Sequence, residues 1–441
     1  MAIRSREISR RISALFVSHK LVLFNMNVSR FKLEDLIVAF FLASAVLGYV
    51  VSYEKLYLFH LASAFYLFSL FTSVVKLSRR KLASMQLLFL FYIYSAVSLV
   101  WSPDLLNGLF FLFYFGNGIL IVFVIVNYAK TPEKLYFCFK TLSIFLILNF
   151  LVGFLETTGY FRLPVSPYFG ENHTWPSGFN SNLNNFGFVF IIVFPFFFLH
   201  RNKLVKFSAL FLAIWFAYFL ESKGYILSLS LLFGLFALTS LDGRSFFGIF
   251  LISIICVLGI MIFNFSFLEE VFSSIRQFPA LAQVGVGLEL MAEGNIDTND
   301  STGTRAYFYL YGLREFFASY GLGLGIAGIG TILAENANTA AGGFSIISFH
   351  NFFLEMLIDF GFIPFFVMMY AYLWLIYKLY SDGRRSSNYM LGYFSKACGL
   401  SLLVALPASI SPSSIIYVFT FWIVIGFSMA VYHLLKLDTG K

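Results

Sequence analysis

Continuous runs of about twenty apolar residues recur along the chain, and they dictate its solvent. Segment 106–126 reads LNGLFFLFYFGNGILIVFVIV and carries no charge. A helix of that length crosses the hydrocarbon core of a bilayer. Such runs predict about twelve spans, at 35–52, 56–75, 84–101, 106–126, 136–155, 183–199, 205–221, 224–241, 246–266, 350–377, 389–410 and 413–434. Composition agrees. Of 441 residues, 59% are hydrophobic and only 12% charged, against about 45–50% and about 25% in soluble domains. The 60 Phe have no polar atom to present to water. Soluble, disordered and collagen-like classes are excluded. The three Cys (Cys138, Cys256 and Cys398) lie in apolar runs without metal or disulfide spacing. The expected fold is an all-α polytopic membrane protein.

Basic residues orient it. With a cytoplasmic N-terminus, 22 of the 30 Lys and Arg fall on the cytoplasmic side. Six fall outside (Lys55, Arg162, Lys223, Arg276, Arg305 and Arg314), and Lys140 and Lys396 lie near helix ends. This matches the positive-inside rule and places both termini in the cytoplasm. The net charge of +8 then reports topology and anionic headgroups, with no nucleic-acid partner implied.

The chain divides accordingly. Residues 1–34 are a basic cytoplasmic segment, not a cleavable signal peptide, with an interfacial amphipathic helix at 8–26. Residues 35–266 carry spans one to nine with an external loop at 156–182. Residues 267–349 form a large external loop with short helices, 350–436 carry spans ten to twelve, and 437–441 are a cytoplasmic tail. Long loops of this kind are usually functional or disordered.

Soluble-enzyme motifs are absent: there is no P-loop, HExxH or GxSxG. The external cations are informative because they oppose the topological bias. An external Arg is commonly a solvated or ion-paired surface residue. The functional reading is convergence of several on a polyanion, where the Arg fork gives bidentate bonds. Lys223 either pairs with Glu221 or serves such a site. His350 stands where the large loop re-enters the membrane, in FHNFFLEMLIDFG, and Asn351 follows it. A His–Asn pair there serves either as a helix cap or as catalytic machinery. Glu355 and Asp359 sit at about 140° and about 180° around the helix from His350, so they share a face with each other and not with it. Asn180, Asn182, Asn184 and Asn185 either bind sugar hydroxyls or cap the next helix, the commoner use. Tyr168 and Trp175 either stack on sugars or anchor at the interface. The run GLGLGIAGIG (321–330) lacks phosphate-loop context.

The order of segments resembles the O-antigen ligase and O-antigen polymerase superfamily. The matching segments are SLVWSPDLLNGL (98–109), SGFNSNLNNFG (177–187), ESKGYILS (221–228), STGTRAYFYLYGLREFFASYGLGLGIAG (301–328), HNFFLEMLIDFG (350–361) and FWIVIG (421–426). At the helix mouth the family usually has Arg where this chain has Lys223, which keeps charge but loses the bidentate fork.

The resemblance implies a GT-C-like glycosyltransferase of the bacterial inner membrane that uses no cofactor or metal. Its donor would be a glycan on undecaprenyl diphosphate. The acceptor would be another glycan in a polymerase or the lipid A core in a ligase. A flippase and a chain-length regulator would be partners. Arg305 and His350 would carry catalysis. Lys223, Arg314, Arg162, Asn351 and Asn180 would bind substrate. Polymerase is the favoured reading. A transporter or flippase is the rival from another class, but no internal repeat of the transporter kind is visible.

The charge split predicts that an impermeant thiol reagent labels Thr298→Cys, and not Ser386→Cys, in intact cells. The reverse pattern would invert the topology.

Overall fold

The computed structural model describes residues 32–53, 56–77, 85–170, 173–220, 222–240, 301–339, 349–412, 414–438 and 440. The expected amphipathic helix at 8–26, the span at 246–266 and residues 267–300 and 340–348 of the large loop lie outside the described residues.

The described chain is almost wholly helical. The helices are α1 (Leu33–Leu47), α2 (Leu58–Phe71), α3 (Gln86–Val97), α4 (Leu105–Tyr128), α5 (Pro132–Glu156), α6 (Leu183–Phe198) and α7 (Lys203–Leu220). They continue with α8 (Lys223–Ser240), α9 (Ser301–Ala318), α10 (Gly328–Thr339), α11 (Phe352–Phe360), α12 (Phe362–Gly383), α13 (Tyr389–Ala408) and α14 (Phe419–Asp438). Two-residue strands β1 (Ser52–Tyr53) and β2 (Leu56–Tyr57) pair antiparallel between α1 and α2. Among the described residues, six helices are long and apolar enough to cross a membrane: α4, α5, α7, α12, α13 and α14.

Helix entries carry the polar residues that an apolar solvent requires, because unpaired backbone N–H groups are costly there. Asp104 accepts from the amides of Leu106 and Asn107 to open α4. Thr131 accepts from Lys134 N ahead of Pro132 at the start of α5. Asn182 accepts from Asn185 N at α6, and Asn388 from Met390 N and Leu391 N at α13.

Small residues set how closely the helices approach, as membrane packing without a hydrophobic drive requires. α4 packs on α14. A Cβ added at Gly118 would lie 2.4 Å from the Trp422 ring, and one at Gly426 would lie 2.9 Å from Val122 Cα. α13 packs against α6, α8, α12 and α14, and α1 against α2 and α5.

Contacts between loops sort into two ends. At one end Lys134 Nζ meets Glu34 at 2.6 Å and Lys130 Nζ donates to the Lys76 carbonyl at 3.0 Å. At the other, the turn 98–102 bonds to Ile326, and the mouth of α8 and the segment before α11 both bond to Ser411 in the turn 409–412. Alternating spans require that grouping.

One expectation is corrected. The span at 350–377 is not continuous. It is a nine-residue α11 and a 22-residue α12, broken at Gly361. Gly361 has φ 85°, and its missing Cβ would lie 2.4 Å from the Leu322 carbonyl oxygen. Only glycine fits, and the backbone of 321–325 occupies the space. At 1.5 Å per residue, α11 is about 13 Å long, too short to cross a bilayer.

Gly118→Val should therefore lower stability in detergent by about 1–3 kcal/mol through overpacking. Gly234→Ala, where an added Cβ meets nothing within 4 Å, should not lower it and should raise it by up to about 1 kcal/mol. Thermal unfolding of the purified variants checks both. Equal melting temperatures would refute the close α4–α14 approach.

Candidate functional site

The site forms around the segment that enters α11. Asn351 caps α11 by accepting from Leu354 N at 3.2 Å. That turns the preceding residue, His350, into the left-handed region, with φ 51°. A non-glycine residue there stores strain, and such residues cluster at functional sites. Two neighbours hold it. The Tyr309 hydroxyl donates to the His350 carbonyl at 3.1 Å, and the Tyr309 ring packs on Phe349 with centroids 5.2 Å apart.

The buried His350 ring places Nδ1 3.2 Å from the Ser411 carbonyl oxygen. A carbonyl only accepts, so Nδ1 carries the proton. In the neutral ring Nε2 is then the acceptor.

Ser411 is a junction. Its hydroxyl accepts from Ser222 Oγ at 2.8 Å and from Gly224 N at 3.2 Å. A Cβ at Gly224 would come within 2.5 Å of that oxygen. The mouth of α8 and His350 therefore meet on one serine. The spacing of the sequence motifs does not reveal Ser411. Its signal is the polar run SISPSS (409–414), which interrupts two apolar spans.

The glycine-rich segment is a backbone wedge. Leu324 N donates to the Ile358 carbonyl at 3.0 Å, Gly325 N to the Asp359 carbonyl at 2.9 Å, and Phe362 N to the Gly321 carbonyl at 2.9 Å. Gly323 and Gly325, with φ 89° and 86°, press against the backbones of 359–361 and of 98–102. Ser98 and Ser102 bracket Ile326. Ile326 N donates to Ser98 Oγ at 3.1 Å, and Ser102 Oγ donates to the Ile326 carbonyl at 2.8 Å. Fully buried Asp359 accepts from Ile329 N at 2.8 Å and so anchors the start of α10. Glu355, one turn earlier, is also buried.

The expected site residues divide. His350 and Asn351 stand at the centre, and Asn351 acts as the cap. Lys223 begins α8 beside Gly224, and Arg305 stands in α9 one turn before Tyr309; for both, the backbone alone is described. Arg314 is exposed on α9, on the face opposite Phe308, Gly312 and Phe316 that packs toward α11, so it is not brought to His350.

Arg162 is engaged within its own loop. It donates to the His173 carbonyl and lies over the Tyr168 ring at 5.6 Å. Asn180 donates to the Ser177 carbonyl at 3.2 Å, and with Asn182 it shapes the entry to α6. That loop is tied down by Glu156, which accepts from Ser177 N at 2.6 Å and Gly178 N at 2.7 Å. Trp175 stacks on His173 with ring centroids 4.1 Å apart. Among the described residues, no three His, Cys, Asp or Glu side chains are grouped as metal ligands would be.

No protein-family model matches the chain. It is similar to the teichuronic acid biosynthesis protein TuaE of Bacillus subtilis (strain 168), at 25% identity over 371 residues. The match covers 78% of this chain and 70% of that protein.

Asp359→Ala should leave the buried Ile329 amide without its acceptor and cost about 1–3 kcal/mol. Asp359→Asn, which keeps an acceptor oxygen, should cost less. Chemical unfolding of both variants measures the difference. Equal loss would show that the α10 anchor is not this hydrogen bond.

Proposed function

We propose that the chain is a membrane glycosyltransferase that polymerises lipid-linked oligosaccharide units into a cell-surface polysaccharide. The observation that carries this is the His350 ring. It is held by the Ser411 carbonyl so that Nε2 is its acceptor, in the segment where three loops meet.

In this reading the donor is a glycan on undecaprenyl diphosphate. The acceptor hydroxyl attacks the anomeric carbon and the bond to the diphosphate oxygen breaks. His350 Nε2 takes the hydroxyl proton. Arg305 stabilises the charge that develops on the departing diphosphate, as preorganised cations can. Lys223 at the α8 mouth is a second cation for that group. Arg314, Arg162, Asn180 and Asn351 are assigned to glycan binding or to shaping it. The enzyme acts at the external face of the inner membrane, with both termini cytoplasmic and no metal required.

The similarity to a protein of teichuronic acid biosynthesis supports a part in polysaccharide biosynthesis. The product need not be O-antigen.

The test is transfer by purified, folded protein from a lipid-diphosphate oligosaccharide, resolved as a product ladder, with chelator throughout. Arg305→Ala and His350→Ala should each slow elongation about a hundredfold or more. Arg305→Lys should recover only part of that loss, because the fork is gone. His350→Asn, which tolerates the left-handed backbone, should fold normally and remain slow. Near-parental rates in either alanine variant, or loss of parental activity on chelation, would overturn the mechanism.

A further inference from the structure

A cavity of about 1000 Å³ opens between α3, α4, α11, α12 and α14. It begins at Phe352 and Met356, directly after His350 and Asn351, and runs along α14 to His433 and Lys436. Its walls are almost entirely aromatic and aliphatic. Among the described residues, the charged side chains that line it are Lys130 and Lys436, and no carboxylate does.

Those cations gather at one end. Lys130 lies in the connection between α4 and α5, where its Nζ donates to the Lys76 carbonyl at 3.0 Å. Lys436 is exposed in the last turn of α14. The occupant this suits is an amphiphile with long apolar chains and an anionic head at the basic end. A lipid-diphosphate glycan serving His350 would carry its head at the opposite end and would leave Lys130 and Lys436 facing its tail.

We propose that this groove holds an anionic diacyl phospholipid from the leaflet at the basic end, its phosphate between Lys130 and Lys436 and its acyl chains along α12 and α14. Two ammonium groups beside a low-dielectric slot favour a phosphate that carries net charge over a zwitterionic one. The acyl chains extend along the groove toward α11, the helix that Asn351 caps and His350 precedes. This inference concerns a lipid that is not a substrate and stands independently of the transfer chemistry.

The experiment uses the full chain in nanodiscs made of equal phosphatidylglycerol and phosphatidylcholine. The protein is extracted into mild detergent, and native mass spectrometry counts retained lipids. The parent should retain phosphatidylglycerol in preference to phosphatidylcholine. Lys130→Gln with Lys436→Gln should reduce that preference by about tenfold or more, at roughly 1 kcal/mol per cation. Lys203→Gln, at a cation outside the groove, should leave it unchanged. Met429→Trp, which fills the groove wall, should lower retention of both lipids, with thermal unfolding confirming that the variant is folded. Equal retention of the two lipids by the parent would overturn the proposal, as would an unchanged preference in the double variant. So would displacement of phosphatidylglycerol by a polyprenyl diphosphate that the double variant still binds. Failure of the transfer assay with selective phosphatidylglycerol retention intact would count against the transferase reading alone.

Discussion

Backbone polar groups buried away from water must find partners inside the protein, and this requirement organises the whole end of the helices that holds His350. Helices satisfy it for themselves; turns cannot. The chain has a non-helical break at Gly361 between two apolar helices, and another irregular stretch at 321–327. Each supplies the other's partners: the amides of 324, 325 and 362 bond to carbonyls of 358, 359 and 321. Ser98 and Ser102 satisfy Ile326 on its other side. Without glycine at 323, 325 and 361 the backbones could not approach this closely.

The position of His350 follows from that arrangement. The wedge fixes the far end of α11, and Asn351 caps its near end. His350 is left in a strained turn that Tyr309 and Ser411 hold from two sides. Among the described residues, segments far apart in sequence are drawn together by hydrogen bonds to loop backbone.

Much of this was legible in the sequence. The apolar runs located the helices because a lipid solvent leaves few alternatives, and α4, α5, α13 and α14 fall where their hydropathy puts them. Asn351 and Asn182 act as the caps that their positions before apolar helices suggest. The break at Gly361 was hidden because the apolar run passes straight through it; hydropathy reports the solvent and not the dihedral angle. GLGLGIAGIG offered no phosphate-loop context, and the structure gives its glycines a packing role that depends on partners some 35 residues away. Ser411 was missed because one serine in a polar turn carries no local pattern, although it joins α8 to His350. Arg314 lies on the exposed face of α9, which only the packing of Phe308 and Phe316 reveals.

Amide hydrogen exchange in lipid nanodiscs tests the central claim most directly, that the wedge is a fixed part of the site. The amides of Leu324, Gly325 and Phe362 should be protected to the same degree as those in the middle of α13 and α14. Exchange of these three at the rate of an open loop, with α13 and α14 protected, would contradict the account.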